Sequence, residues 1–208
     1  CETICHYGNF DFVEIWLPNL EKTKINLISK ICNSKFAEKF YEGSSEITSI
    51  HPHEGISGLV WQKKSSVIWD SISNNLDFIR KDAAENSGIK TALGIPLLFN
   101  HEVIGVMMIG TKNDTQFLTH HQKTFEKLKE FIGSEINRKK LENDLNHLYD
   151  AVPDLICVTD LNGKFLKINK AGCEIIGYQE DEILHYNFEK FIHPDDKNIS
   201  NSDLKNLN

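Results

Sequence analysis

The sequence predicts an α+β fold: one antiparallel sheet flanked by short helices, a long connecting helix, and then the first half of a second α+β unit. Three observations predict it. Apolar runs of strand length, some alternating and some continuous, recur between residues 10 and 111. The stretch 119–149 holds neither Pro nor an internal turn cluster. Beyond it, Asn162-Gly163 separates two β-rich runs, the strongest short-range signal of a hairpin.

The elements follow in order. Phe10-Asp11-Phe12-Val13-Glu14-Ile15-Trp16-Leu17 alternates loosely and stops at Pro18-Asn19, and Lys24-Ile25-Asn26-Leu27-Ile28-Ser29-Lys30-Ile31 alternates again, which predicts an opening hairpin. A short helix is expected over 36–41, closed by Gly43. Gly55 and Gly58 frame a helix beginning at Leu59-Val60-Trp61, and 65–70 reads as a short strand. Phe78, Ile79, Ala83 and Ala84 lie at helical spacing within 74–87, with Gly88 as the stop. The continuous apolar runs 91–99 and 103–111, joined by Asn100-His101-Glu102, predict a central antiparallel pair covered on both faces. In the long helix Phe125, Leu128, Phe131, Ile132 and Ile136 make a broad stripe suited to packing on a sheet. After Arg138-Lys139-Lys140 only a narrow seam of Leu141, Leu145 and Leu148 remains, which suits helix-to-helix pairing; packing on its own domain is the competing reading. Beyond Pro153, strands over 155–160 and 164–169 and a helix over 170–176 ending at Gly177 form a unit too small to bury much core.

Composition narrows the function classes. Hydrophobic residues at 40% and charged residues at 25% suit a globular protein rather than a disordered one. A formal net charge of -7 repels phosphates, so nucleic acid is not an expected partner. No apolar run approaches the ~20 residues of a membrane span. No charged-then-apolar leader is visible, the chain reads as part of something longer, and a cytoplasmic location is expected. The five cysteines are an odd number at irregular spacing, which fits reduced thiols; Cys157 and Cys173, inside apolar runs, are expected to be small core residues.

The middle of the chain resembles the GAF family of sensory domains. The resemblance rests on Gly55-Ile56-Ser57-Gly58-Leu59-Val60-Trp61, Val67-Ile68-Trp69-Asp70, Phe78-Ile79-Arg80 with Ala83-Ala84, Gly88 through Leu97, and Val103-Ile104-Gly105-Val106-Met107. The C-terminal part resembles a PAS domain through Val152-Pro153-Asp154, Ala171-Gly172-Cys173-Glu174-Ile175-Ile176-Gly177-Tyr178, Glu180-Asp181-Glu182-Ile183-Leu184 and Phe191-Ile192-His193-Pro194-Asp195-Asp196. These resemblances imply a GAF-like antiparallel sheet over 1–136, a connecting signalling helix over 137–149, and a partial PAS-like domain over 150–208. They further imply a sensory and dimerisation module, expected as a homodimer upstream of a histidine kinase or another output domain. The alternatives are a ligand-free interaction scaffold and a GAF-type free methionine sulfoxide reductase.

Within this chain no catalytic motif and no metal site are identified. His120-His121-Gln122 lacks the acidic neighbour of a phospho-accepting histidine, and no phosphate-binding Gly-rich loop is present. His51-Pro52-His53-Glu54 reads as a polar loop, because a zinc site needs three or four converging ligands. Asp195 and Asp196 are placed to cap a following helix. No cysteine falls between Cys32 and Cys157 to tether a bilin, and Cys32 alone is weakly placed for reductase chemistry. No cofactor is identified. By family analogy a small molecule would sit between sheet and helices, lined by Trp61, Trp69, Phe78 and Arg80, with Arg80 as anchor. The alternative is that these aromatics fill a core and Arg80 pairs with Asp70 or Asp82.

Overall fold

Alternating side chains on two neighbouring runs form an antiparallel pair in the computed structural model, which describes residues 1–194: β1 (Phe12–Pro18) and β2 (Ile25–Cys32). The turn between them is held by Asn19, whose side-chain oxygen accepts from the N–H groups of Thr23 and Lys24 at 2.9 and 3.1 Å. Four further strands, β3 (Ser49–Ile50), β4 (Val67–Trp69), β5 (Thr91–Phe99) and β6 (Glu102–Thr111), complete a sheet of order β3-β2-β1-β6-β5-β4. Asn100 and His101 turn β5 into β6 with φ of 50° and 64°, the doubly positive pattern of a tight hairpin. β5 and β6 are interior strands buried along most of their length, as their continuous apolar character requires.

The period of two divides each strand between separate cores. Phe12, Trp16, Ile25, Ala92, Val106 and Met108 face α2 (Lys35–Glu42), α3 (Gly55–Lys63), a 3₁₀ turn at Ile72–Asn74 and α4 (Lys81–Ser87). Val13, Ile15, Leu93, Ile95, Met107 and Ile109 pack with Cys5 of α1 (Glu2–Gly8) and with Leu118, Phe125, Ile132 and Ile136 of α5 (Thr115–Ala151).

Several elements differ from the sequence reading. α3 begins at Gly55 rather than Leu59, because a positive φ of 59° at Gly55 lets the chain enter the helix four residues earlier. The stretch 74–87 is not one helix: Asn75 Oδ1 accepts from Asp77 N–H and breaks it into the 3₁₀ turn and the shorter α4. α5 starts at Thr115, where Asp114 accepts from the N–H of Phe117. The stripe on its first part is narrower than expected, since Phe131 is 65% exposed and Leu128 also faces outward.

The chain forms two compact units, Cys1–Arg138 and the residues from Lys139 on, with α5 contributing to both. The second unit pairs β7 (Cys157–Thr159) with β8 (Phe165–Ile168), followed by α6 (Lys170–Ile176), α7 (Glu180–Ile183) and a 3₁₀ turn at Phe188–Phe191. Asp160 accepts from the N–H groups of Asn162 and Lys164, and Gly163 at φ 81° closes the hairpin. A small core gathers Phe165, Ile168 and Ile183, with Ile176, Tyr178 and Phe188 against it. Cys157 is exposed rather than core: it pairs with the core residue Ile168, but β7 belongs to a two-stranded sheet and is open at both Cys157 and Val158; Cys173 is half-buried against the small core. The capping assigned to Asp195 and Asp196 lies outside the described residues.

Helix α5 approaches the sheet closely at Gly133, where an added β-carbon would stand 2.0 Å from the carbonyl oxygen of Leu98. Backbone cannot yield as a side chain does, so Gly133→Ala is expected to destabilise the fold by about 1–3 kcal/mol. Thermal unfolding followed by circular dichroism measures this, and an unchanged midpoint would refute the close seat.

Candidate functional site

Strand alternation puts Glu14 on the same face of β1 as Phe12 and Trp16, in an apolar core where an unpaired carboxylate would be costly. Arg80, at the N-cap of α4, supplies the countercharge. Its Nη1 and Nη2 donate to Glu14 Oε1 and Oε2 at 2.6 and 2.8 Å, a bidentate pair with both side chains almost wholly buried. The Tyr41 hydroxyl of α2 donates to Oε1 at 2.7 Å, and Trp16 Nε1 donates to Oε2 at 2.8 Å. The guanidinium lies 4.8 Å from the ring centre of Phe40, 5.7 Å from Trp16 and 5.9 Å from Phe78, with Met108 Sδ 3.1 Å from Nη2.

These contacts set the charge states. Burial alone would push the Glu14 carboxyl up, but the charge of Arg80 and the hydrogen bonds from Arg80, Tyr41 and Trp16 outweigh it and hold the group below its ordinary value. Burial, then the charge of Glu14, pushes the Tyr41 phenol up, and Glu14 keeps Arg80 protonated against the cost of burial. The cluster is thus a locked ion pair with a neutral tyrosine. The buried side-chain polar atoms left without a partner among the described residues are Arg80 Nε and Ser57 Oγ of α3.

The four residues named for a pocket are distributed as follows. Phe78 and Arg80 are buried in the core. Trp61 and Trp69 are half-buried at its margin, and Trp69 meets Phe78 edge-to-face at 6.1 Å. Arg80 is paired, but with Glu14, not with Asp70 or Asp82. Sequence separation hid that partner, although a Glu on the apolar side of an alternating strand is itself a signal that a buried cation must exist.

In the second unit Leu141, Leu145 and Leu148 are 54%, 65% and 65% exposed. Leu145 and Leu148 line an open groove of about 610 Å³ with Glu142, Asn146, Tyr149, Val152 and Lys167. Burial pushes the Cys5 thiol up to about 11, and the Cys32 thiol is also raised, first because neighbouring atoms keep part of its water away. Among the described residues no group of three His, Cys, Asp or Glu could hold a metal ion, and no helix is long and apolar enough to cross a membrane.

Glu14→Gln leaves the Arg80 charge buried without its counterion and is expected to cost about 3–5 kcal/mol in chemical denaturation, whereas Glu14→Leu with Arg80→Met should recover most of it. The deficit of Glu14→Gln should be full above pH 4.5, the ordinary carboxylate value, and close as pH falls further and the wild-type carboxylate protonates. A deficit that stays constant down to pH 2–3 would refute ionised pairing.

The GAF domain matches over residues 1–136 and the PAS fold over residues 143–207. Among solved structures, the chain is similar to the A. aeolicus nlh2 GAF domain in an inactive state, at 17% identity, covering 66% of this chain and 80% of that chain with a TM-score of 0.52. It is similar to type II free methionine-R-sulfoxide reductase from Thermoplasma acidophilum, at 13% identity, 64% and 84% coverage and a TM-score of 0.51. It is also similar to the GAF domain of a phosphoenolpyruvate-protein phosphotransferase from Coxiella burnetii, at 13% identity, 68% and 80% coverage and a TM-score of 0.51. At these identities the likeness shows fold alone. No curated protein matches the sequence. With the match running over residues 1–136, more than half of the chain, the chain belongs to the GAF domain family and continues into a PAS fold.

Proposed function

We propose that the chain is the sensory and dimerisation module of a cytoplasmic signal-transduction protein. Residues 1–136 are its sensing unit, 137–149 its connecting helix and 150–208 a PAS unit that passes the state on to a histidine kinase or another output domain. GAF and PAS domains are sensory modules of signalling proteins, which supplies the class. The observation that carries the dimer is the seam of Leu141, Leu145 and Leu148, each more than half exposed on a helix surrounded by charged residues. Pairing with the same seam of a second copy removes these side chains from water, about 25 cal/mol for each Å² of apolar surface. A ligand or partner that prefers one state of the sensing unit then biases the helix, and the output domain reads that bias.

A second reading, a small-molecule site in the GAF unit, is favoured by the uncommitted Arg80 Nε and Ser57 Oγ together with the half-buried Trp61 and Trp69. In that reading Phe78 forms the floor and Arg80 offers Nε, its other nitrogens being held by Glu14. Reductase chemistry has less support: it needs a thiolate, and the thiols of Cys5 and Cys32 are both raised. A net charge of -7 counts against nucleic acid as a partner.

Sedimentation equilibrium of the purified chain should return a dimer, and Leu145→Asp should return a monomer of unchanged helicity. A wild-type monomer, or a variant that still pairs, would remove the seam from the mechanism. Native mass spectrometry of the wild type tests the second reading, with added mass on the protomer expected if the GAF unit holds a ligand.

A further inference from the structure

We infer that Asn169 is a latch that couples the C-terminal turn of α5 to both β7 and α6, so that a displacement of the helix end reaches the hairpin and the following helix together. Asn169 lies between β8 and α6 and is wholly buried, although it is polar. Its Oδ1 accepts from the N–H of Ile156, which leads into β7, and from the N–H of Gly172 in the first turn of α6, each at 2.9 Å. Its Nδ2 faces the carbonyl oxygens of Tyr149, Val152 and Asp154 at 3.1, 3.3 and 2.9 Å. The backbone N–H of Asn169 donates to Ile156 O, closing the ring of contacts. One side chain therefore spends its acceptor on the hairpin and α6, and its donors on the helix end and the segment that leaves it.

The other ties of this helix end differ in kind. Lys167 Nζ donates to Asn146 and lies 4.5 Å from the ring centre of Tyr149, the Tyr149 hydroxyl donates to Ile156 O, and Asp150 accepts from Lys170 N–H. All of these involve exposed atoms, where water replaces a lost contact at little cost. At Asn169 water has no access, and a lost bond leaves a buried group unmet. The buried amide thus decides whether the helix end and the hairpin move as one body. Its signalling consequence rests on the relay proposed above; the latch itself does not.

Residue-resolved hydrogen exchange on the whole chain separates its two halves. Asn169→Asp keeps the acceptor for Ile156 and Gly172 but turns a carboxylate toward three carbonyl oxygens. We expect those two amides to stay within about twofold of wild type, while amides of the last turn of α5 exchange about tenfold faster. Asn169→Ala should release both sets, and Lys167→Ala neither. The latch is overturned if Asn169→Asp leaves the helix end as protected as wild type. It is equally overturned if that variant releases all these amides together, or if Lys167→Ala matches it. If the wild-type chain sediments as a monomer while Asn169→Asp gives the split pattern, the pairing proposed above is refuted and the latch upheld.

Discussion

A carboxylate and a guanidinium facing each other inside an apolar core constrain everything around them. Removing two charges from water costs several kcal/mol each, and the attraction repays that only if the remaining lone pairs and N–H groups find partners. Glu14 meets this demand with Arg80, Tyr41 and Trp16, and so binds together β1, α2 and the start of α4. Phe40, Trp16 and Phe78 must then present ring faces to the cation rather than merely fill volume. A wrong register of β1 by one residue would send Glu14 into the opposite core, away from Arg80, the one buried Lys or Arg among the described residues. The pair contributes to specifying this arrangement beyond whatever net stability it adds.

The second unit achieves order by different means, because its apolar core is small. Asp160 organises the hairpin turn, Asn169 the junction with α5, and Asn187 the 3₁₀ turn, whose Glu189 N–H it accepts. Short polar side chains that bond backbone groups substitute here for hydrophobic volume. In the first unit the same type of residue has a narrower role: Asp11 accepts from Ser34 Oγ at 2.6 Å, and Ser34 accepts from Ala37 N–H to cap α2.

Much of the fold was legible in the sequence wherever a local period or a turn residue carries it. The β5–β6 pair is announced by two uninterrupted apolar runs with a short polar join, and the β7–β8 hairpin by Asn162-Gly163. Helix α6 ends where Gly177 takes φ 81°. The reading failed where long-range partners override local pattern. Phe78 and Ala83 have helical spacing, yet Phe78 is pinned among Phe40 and Trp69 on a turn, outside any helix. The partner of Arg80 stands 66 residues away, so nearby Asp70 and Asp82 looked sufficient. Asn169 reads as the end of a strand, and only its place before a helix hints at a cap.

The alternation along β1 has an evolutionary corollary. Phe12, Glu14 and Trp16 belong to the chamber that holds the ion pair, whereas Val13 and Ile15 belong to the one that seats α5. Descendants can therefore exchange the chemistry of one chamber by substituting every second residue while the helix seat is inherited intact. An insertion or deletion of a single residue in β1 has no such freedom, since it would swap the occupants of both chambers at once. Divergence in this lineage should accordingly accumulate as substitutions within β1, with length changes confined to the turn that follows it.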